Sequence, residues 1–174
     1  MGIRKRVGKS RRSKKRVPAA GGRTGFRRVV LGMDGSAHSR RAAAFLTRLR
    51  PPRGGRVTVV RVVEPVRAPV MPLVPGAMRA QIAGQADAVN RSQVAAARRQ
   101  VEAAAATLAR AGWRARGVVR TGRPVAQLLA AVRAERADVL ALGARGAGAL
   151  KHFLLGSVTE AALKQSPVEV LIVR

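Results

Sequence analysis

The chain has 174 residues, 47% of them hydrophobic, which is enough for one domain with its own core, and it has no cysteine, which excludes disulfides and thiolate metal sites. Its formal charge is +27, yet only twelve of its 35 Lys and Arg lie between Met1 and Arg28, so the excess is spread along the chain and suits an Arg- and Ala-rich composition as readily as a polyanion partner. No apolar run approaches the roughly 20 residues of a membrane-spanning helix, and the basic start is not followed by the apolar core of a secretory signal, so a cytoplasmic protein is expected.

Residues 1–25 mix like charges with Gly, Ser and Pro and show no apolar periodicity. A segment of this kind cannot bury enough surface to offset its ordering entropy, which predicts a disordered basic tail ahead of a domain spanning 26–174. "FRRVVLGM" then reads as a strand that breaks at "DGS", and "AHSRRAAAFLTRLR" as a helix. After a Pro/Gly-rich turn, "RVTVVRVV" is a second strand whose weak alternation suits a sheet covered on both faces. The Pro-rich "EPVRAPVMPLVPG" is too irregular for either element, and could flank a pocket. An Ala-rich helix is expected from about Gln81 to Ala111, stopping near Gly112.

"WRARGVVR" supplies a third strand and "TGRPVAQLLAAVRAE" a third helix, with Pro124 in the first turn where its missing N–H does no harm. "ADVLALG" is a fourth strand, Ser157 to Gln165 a last helix stopped by Ser166-Pro167, and "VEVLIV" a final strand. Strands alternating with helices predict an α/β fold with a parallel sheet wound on both faces, in which ligands collect beyond the carboxyl ends of the strands where strand order reverses. Two glycine-containing loops follow strands and so become the candidates: "GMDGS" and "GARGAG".

In the second loop Gly143, Gly146 and Gly148 permit close approach of backbone N–H donors to phosphate, and the helix start at Gly156, Ser157 and Val158 adds unpaired amides and a favourable dipole. Lys151 and His152 would lie in the arch between. The residues also admit plainer roles. "SVTE" is a capping box that makes Ser157 a cap and Glu160 its partner. Asp34 before a helix is turn and dipole chemistry as much as a ligand, and Arg145 in so Arg-rich a chain is as well read as a solvated surface group. Capping accounts for neither the upstream glycines nor Gly156. The loop lacks Gly-Lys-Ser/Thr and is no Walker A motif, and its glycine spacing is not the dinucleotide fingerprint.

Gly143, Gly146, Gly156 and Ser157 fit G-x2-G-x9-G-(S/T), and together with "VVLGMDGS", "RVVEP", "GRP", "ADVLALG" and "SPVEVLIVR" this pattern resembles the ATP-binding branch of the universal stress protein family. The resemblance implies a Rossmann-like five-stranded sheet of order 3-2-1-4-5, shared with the adenine nucleotide alpha hydrolase group. It also implies an adenosine pocket at Gly32, Asp34 and Val62, and ribose and phosphate contacts from Gly143, Arg145, Gly146, Gly156, Ser157 and Val158. Ala144 and Gly32 depart from the family's usual Ser/Thr and Pro/Ala.

The resemblance therefore implies an ATP-binding regulatory protein of the stress response rather than an enzyme, with Mg²⁺ carried on the phosphates and a homodimer formed through the last strand. Two alternatives remain beside it. One is an adenylating enzyme of the related hydrolase group. The other is weak, salt-steep nucleic-acid binding by the basic arm, without a stacking platform because aromatics are only 2% of the chain.

Overall fold

A computed structural model describes residues 25–69, 73–146 and 155–174. The expected tail up to residue 24, together with Gly148, Lys151 and His152, lies outside the described residues. Five strands alternate with four helices: β1 (Arg28–Gly32), α1 (Ala37–Thr47), β2 (Arg56–Val63), α2 (Gly76–Arg110), β3 (Arg114–Thr121), α3 (Pro124–Ala134), β4 (Val139–Gly143), α4 (Ser157–Gln165) and β5 (Glu169–Val173). All pairings are parallel, and the sheet runs β3-β2-β1-β4-β5. Strand order reverses between β1 and β4, as expected.

The alternation of side chains along each strand divides the core into two layers. Val29, Leu31, Val57, Val59, Val139 and Ala141 face α1 and α2, where they meet Ala42, Leu46, Val101 and Leu108. Their neighbours Val30, Val60, Leu140 and Leu142 face the other way, against Leu128, Leu129 and Val132 of α3 and Ala162 of α4. Both faces being covered, the strands read as near-continuous apolar runs.

Two polar contacts fix the register near the strand starts. Asp138, just before β4, accepts from the amides of Arg27 and Arg28 at 2.8 Å each, and its other oxygen pairs with the Arg28 guanidinium at 3.1 Å. Trp113, 3% exposed, donates its indole N–H to the carbonyl of Leu46 at 3.0 Å and so ties the turn before β3 to the end of α1.

Helix α2 begins at Gly76, five residues before the expected Gln81. Pro75 ends the Pro-rich run and serves as the N-cap, and the residues after it, Ala77, Met78, Arg79 and Ala80, are good helix formers. The helix is buried against the sheet only from Ala97 onward. Ahead of that, the Asn90 side chain holds the backbone of Val66 by both its N–H, at 2.8 Å, and its carbonyl, at 2.9 Å. The start of the Pro-rich connection is thereby fastened alongside α2.

Candidate functional site

Beyond the carboxyl ends of β1 and β4, where the loops to α1 and α4 diverge, lies a cavity of about 610 Å³, within the range of small-molecule sites. Its first wall is the loop after β1. Asp34 Oδ1 accepts the N–H of Ser36 at 3.0 Å, and Gly35 takes a left-handed φ of +82°, a turn that glycine adopts without strain. Ser36 caps α1 by accepting from the Ser39 amide at 3.1 Å, and its hydroxyl donates to the carbonyl of Arg145 at 3.2 Å. The two loops are thus bonded to each other.

The second wall is the loop after β4. Ala144 donates its N–H to the Val173 carbonyl at 2.8 Å, and its own carbonyl accepts the N–H of Gly156 at 2.9 Å. The Gly156 carbonyl in turn accepts from Glu160 at 2.9 Å, while the Thr159 hydroxyl donates to the Gly143 carbonyl at 2.9 Å. The loop therefore closes on itself before α4 begins. A methyl group built on Gly156 would stand 3.1 Å from the Gly146 nitrogen, and one on Gly146 would stand 2.9 Å from Asp34 Oδ2, so the glycines let two backbone segments and the Asp34 side chain crowd together.

This geometry changes the roles expected of several residues. Gly156, not Ser157, is the N-cap of α4, no side chain among the described residues caps that end, and Glu160 pairs with Lys164 at 2.8 Å. The expected capping box does not form: α4 starts at Ser157, as expected, but with Gly156 as its N-cap, which puts Ser157 inside the first turn. Gly156 cannot offer its N–H to a ligand either, since Ala144 already accepts it. What α4 presents to the cavity is the amides of Ser157, Val158 and Thr159, which have no partner within the helix and carry the positive end of its dipole.

At the opposite end the sheet itself contributes. The Val60 carbonyl accepts from Met33, so the main-chain groups of Val60 face β1. Those of Val62, two residues on, face the same way, but the β1–β2 register stops at Gly32 opposite Val60. Val62 therefore presents one N–H and one C=O toward the cavity beyond the point where β1 has turned away.

A profile of the Universal stress protein family matches residues 25–174. The chain belongs to the universal stress protein family. A universal stress protein encoded 3′ of a QAH/OAS sulfhydrylase in Thermus aquaticus is 32% identical over 152 residues, covering 86% of this chain and 99% of the relative. Among solved structures, the hypothetical protein MJ0577 superposes with a TM-score of 0.72 at 20% identity, over 85% of this chain and 95% of the other. A universal stress protein in complex with cAMP superposes with a TM-score of 0.56 at 24% identity, over 87% and 99%.

For this universal stress protein, Gly32, Asp34, Val62, Gly143, Gly146, Gly156, Ser157 and Val158 all line the cavity. Arg145 does not: among the described residues it meets the site through its carbonyl, which Ser36 holds. Gly143 serves packing as well, since a methyl group there would fall 2.5 Å from the His38 carbonyl carbon and 2.6 Å from the Ser39 nitrogen. Gly32 leaves room that Leu142 and Leu128 occupy.

Glu64, Pro124, Leu128 and Thr159 are among the eight lining residues that sequence reasoning missed, with Met33, Ser39, Val60 and Leu142. The signal was present for one of them, because Pro124 opens the helix that covers that face. The charged side chains lining the cavity among the described residues are both acidic, Asp34 and Glu64, in a chain of net charge +27.

Proposed function

We propose that this protein is a regulatory nucleotide binder that holds ATP in the crevice between β1 and β4. The observation that carries the reading is the polarity of one cavity. At one end Val62 offers a backbone donor and acceptor suited to a base edge, and at the other the first amides of α4 suit an anion. Asp34, between the two loops, is the acceptor for a ribose hydroxyl, while Gly143, Gly146 and Gly156 hold the backbone close enough for Ser157 and Val158 to reach the phosphates. The solved relative bound to cAMP supports an adenine nucleotide as the class of ligand.

Mg²⁺ arrives on the phosphates, since no group of three metal-ligating side chains is gathered among the described residues. Binding without rapid turnover is part of the same reading. Equilibrium dialysis with Mg²⁺-ATP tests the reading. The intact chain is expected to bind at micromolar to sub-millimolar ATP, and Gly156→Arg to lose binding. No uptake at millimolar ATP, or a variant equal to the parent, overturns it.

A homodimer through β5 belongs to the same proposal. Among the described residues β5 pairs only with β4, which leaves one rim of the strand, along Val170, Leu171, Ile172 and Val173, able to accept another strand. Light scattering at micromolar concentration is expected to give twice the chain mass; a monomer overturns this part alone.

A further inference from the structure

Glu64 stands out among the eight acidic residues of this chain. Asp138, Glu135 and Glu160 are held in ion pairs with Arg28, Arg116 and Lys164. Glu64 has no ion pair or hydrogen bond among the described residues, yet it lines the cavity. It follows β2 directly, two residues beyond Val62, and lines the cavity next to the Val62 peptide.

The Val62 peptide alone discriminates poorly between purines. One N–H and one C=O can pair with the N1 and 6-amino groups of adenine, and, with the ring turned over, with the 6-oxo and N1–H groups of hypoxanthine. A carboxylate is different, because when ionised it accepts hydrogen bonds and donates none. Placed beside the 6-position, it takes the second hydrogen of a 6-amino group and repels a 6-oxo group. Its charge also opposes a phosphate at that end of the cavity, while the α4 amides favour one at the other.

Resting on the nucleotide-binding reading above, we propose that Glu64 sets both the base identity and the direction of the bound nucleotide. It selects a 6-aminopurine and holds the base at the β2 end, with the phosphates at α4. This role belongs to a side chain, where the remainder of the site works mainly through backbone.

Competition dialysis of the full chain with Mg²⁺-ATP, Mg²⁺-ITP and Mg²⁺-GTP tests the proposal, with thermal melts to check folding. The parent is expected to bind ATP about tenfold more tightly than ITP, the size expected of one hydrogen bond to a charged group. In Glu64→Gln, whose amide can donate to a 6-oxo group, the ratio should fall to about threefold or less, through weaker ATP and stronger ITP binding. Glu64→Ala should lose the preference without gaining ITP affinity. A parent that binds ATP and ITP equally, a parent that prefers GTP, or a Glu64→Gln variant that keeps the parental ratio overturns the role of Glu64 and leaves nucleotide binding standing. A parent that binds none of the three overturns both.

Discussion

The backbone N–H of Gly156 donates to the carbonyl of Ala144 at 2.9 Å, closing the loop between β4 and α4 at the residue where the helix begins. This bond fixes where the Ser157 and Val158 amides point. Gly156 has an ordinary φ of −74°, so any residue could adopt its backbone conformation. Its constraint is space: a methyl group would lie 3.1 Å from the Gly146 nitrogen and 3.4 Å from the Arg145 Cα. Gly156→Ala should therefore fold, push Gly146 aside by a few tenths of an ångström, and cost about 1 kcal/mol in ATP binding, a factor of about five. Dialysis checks the affinity, and a melting temperature within about 4 °C of the parent checks that the fold survives.

Gly143 carries the same residue type with a different consequence. A methyl group there falls 2.5 Å and 2.6 Å from backbone atoms of His38 and Ser39, in the first turn of α1, and backbone cannot step aside as a side-chain tip can. Gly143→Ala is expected to destabilise the domain by about 3 kcal/mol, at the upper end of overpacking costs, and to lower the melting temperature well beyond the Gly156 variant. Urea denaturation distinguishes the two: a midpoint for Gly143→Ala equal to that of Gly156→Ala would contradict this division of roles.

The succession of strands and helices and the two glycine-containing loops were legible in the sequence because strand runs, helix stops and a fixed glycine spacing each leave a local mark, whereas the sheet order and the set of eight cavity-lining residues followed from the family resemblance those marks carry. The division of labour inside the loop was not. Whether Gly156 offers its N–H outward or spends it on Ala144 depends on an approach between segments twelve residues apart, and "SVTE" reads as a capping box unless the helix start is known to within one residue. The beginning of α2 escaped for a related reason. Gly76 and Pro75 look like the end of the Pro-rich connection, and the good helix formers after them decide the matter. Glu64 was overlooked because nothing local marks it; its parity with Val62 matters only once β1 is known to stop opposite Val60.

Arg145 was expected to meet the phosphates, and its place in the loop gives a sharp test. The Ser36 hydroxyl holds its carbonyl, a contact that any residue at 145 could keep, and its side chain is not part of the cavity wall. Arg145→Ala should change ATP affinity by less than about twofold, the scale of a charge acting through solvent. A tenfold loss that disappears at high salt would show that the guanidinium reaches the phosphates once nucleotide is bound.

Acid sensitivity should come in part from Asp138, where β1 and β4 are pinned together. Burial alone would raise the pKa of this carboxyl, but the Arg27 and Arg28 amides and the Arg28 guanidinium together outweigh it and hold the group below its ordinary 3.8. A carboxyl depressed on folding stabilises the native state above its unfolded pKa, and the contribution disappears as pH falls through the lower folded value. Asp138→Asn keeps one acceptor but loses the charge, and should lower stability by about 1 kcal/mol at pH 7. Urea titrations at pH 7, 5 and 2.5 are expected to give the same gap between parent and variant at the first two and a smaller gap at the third. A gap that widened in acid would reverse the expected sign, and would mean that the carboxyl is protonated more readily in the folded chain than in the unfolded one.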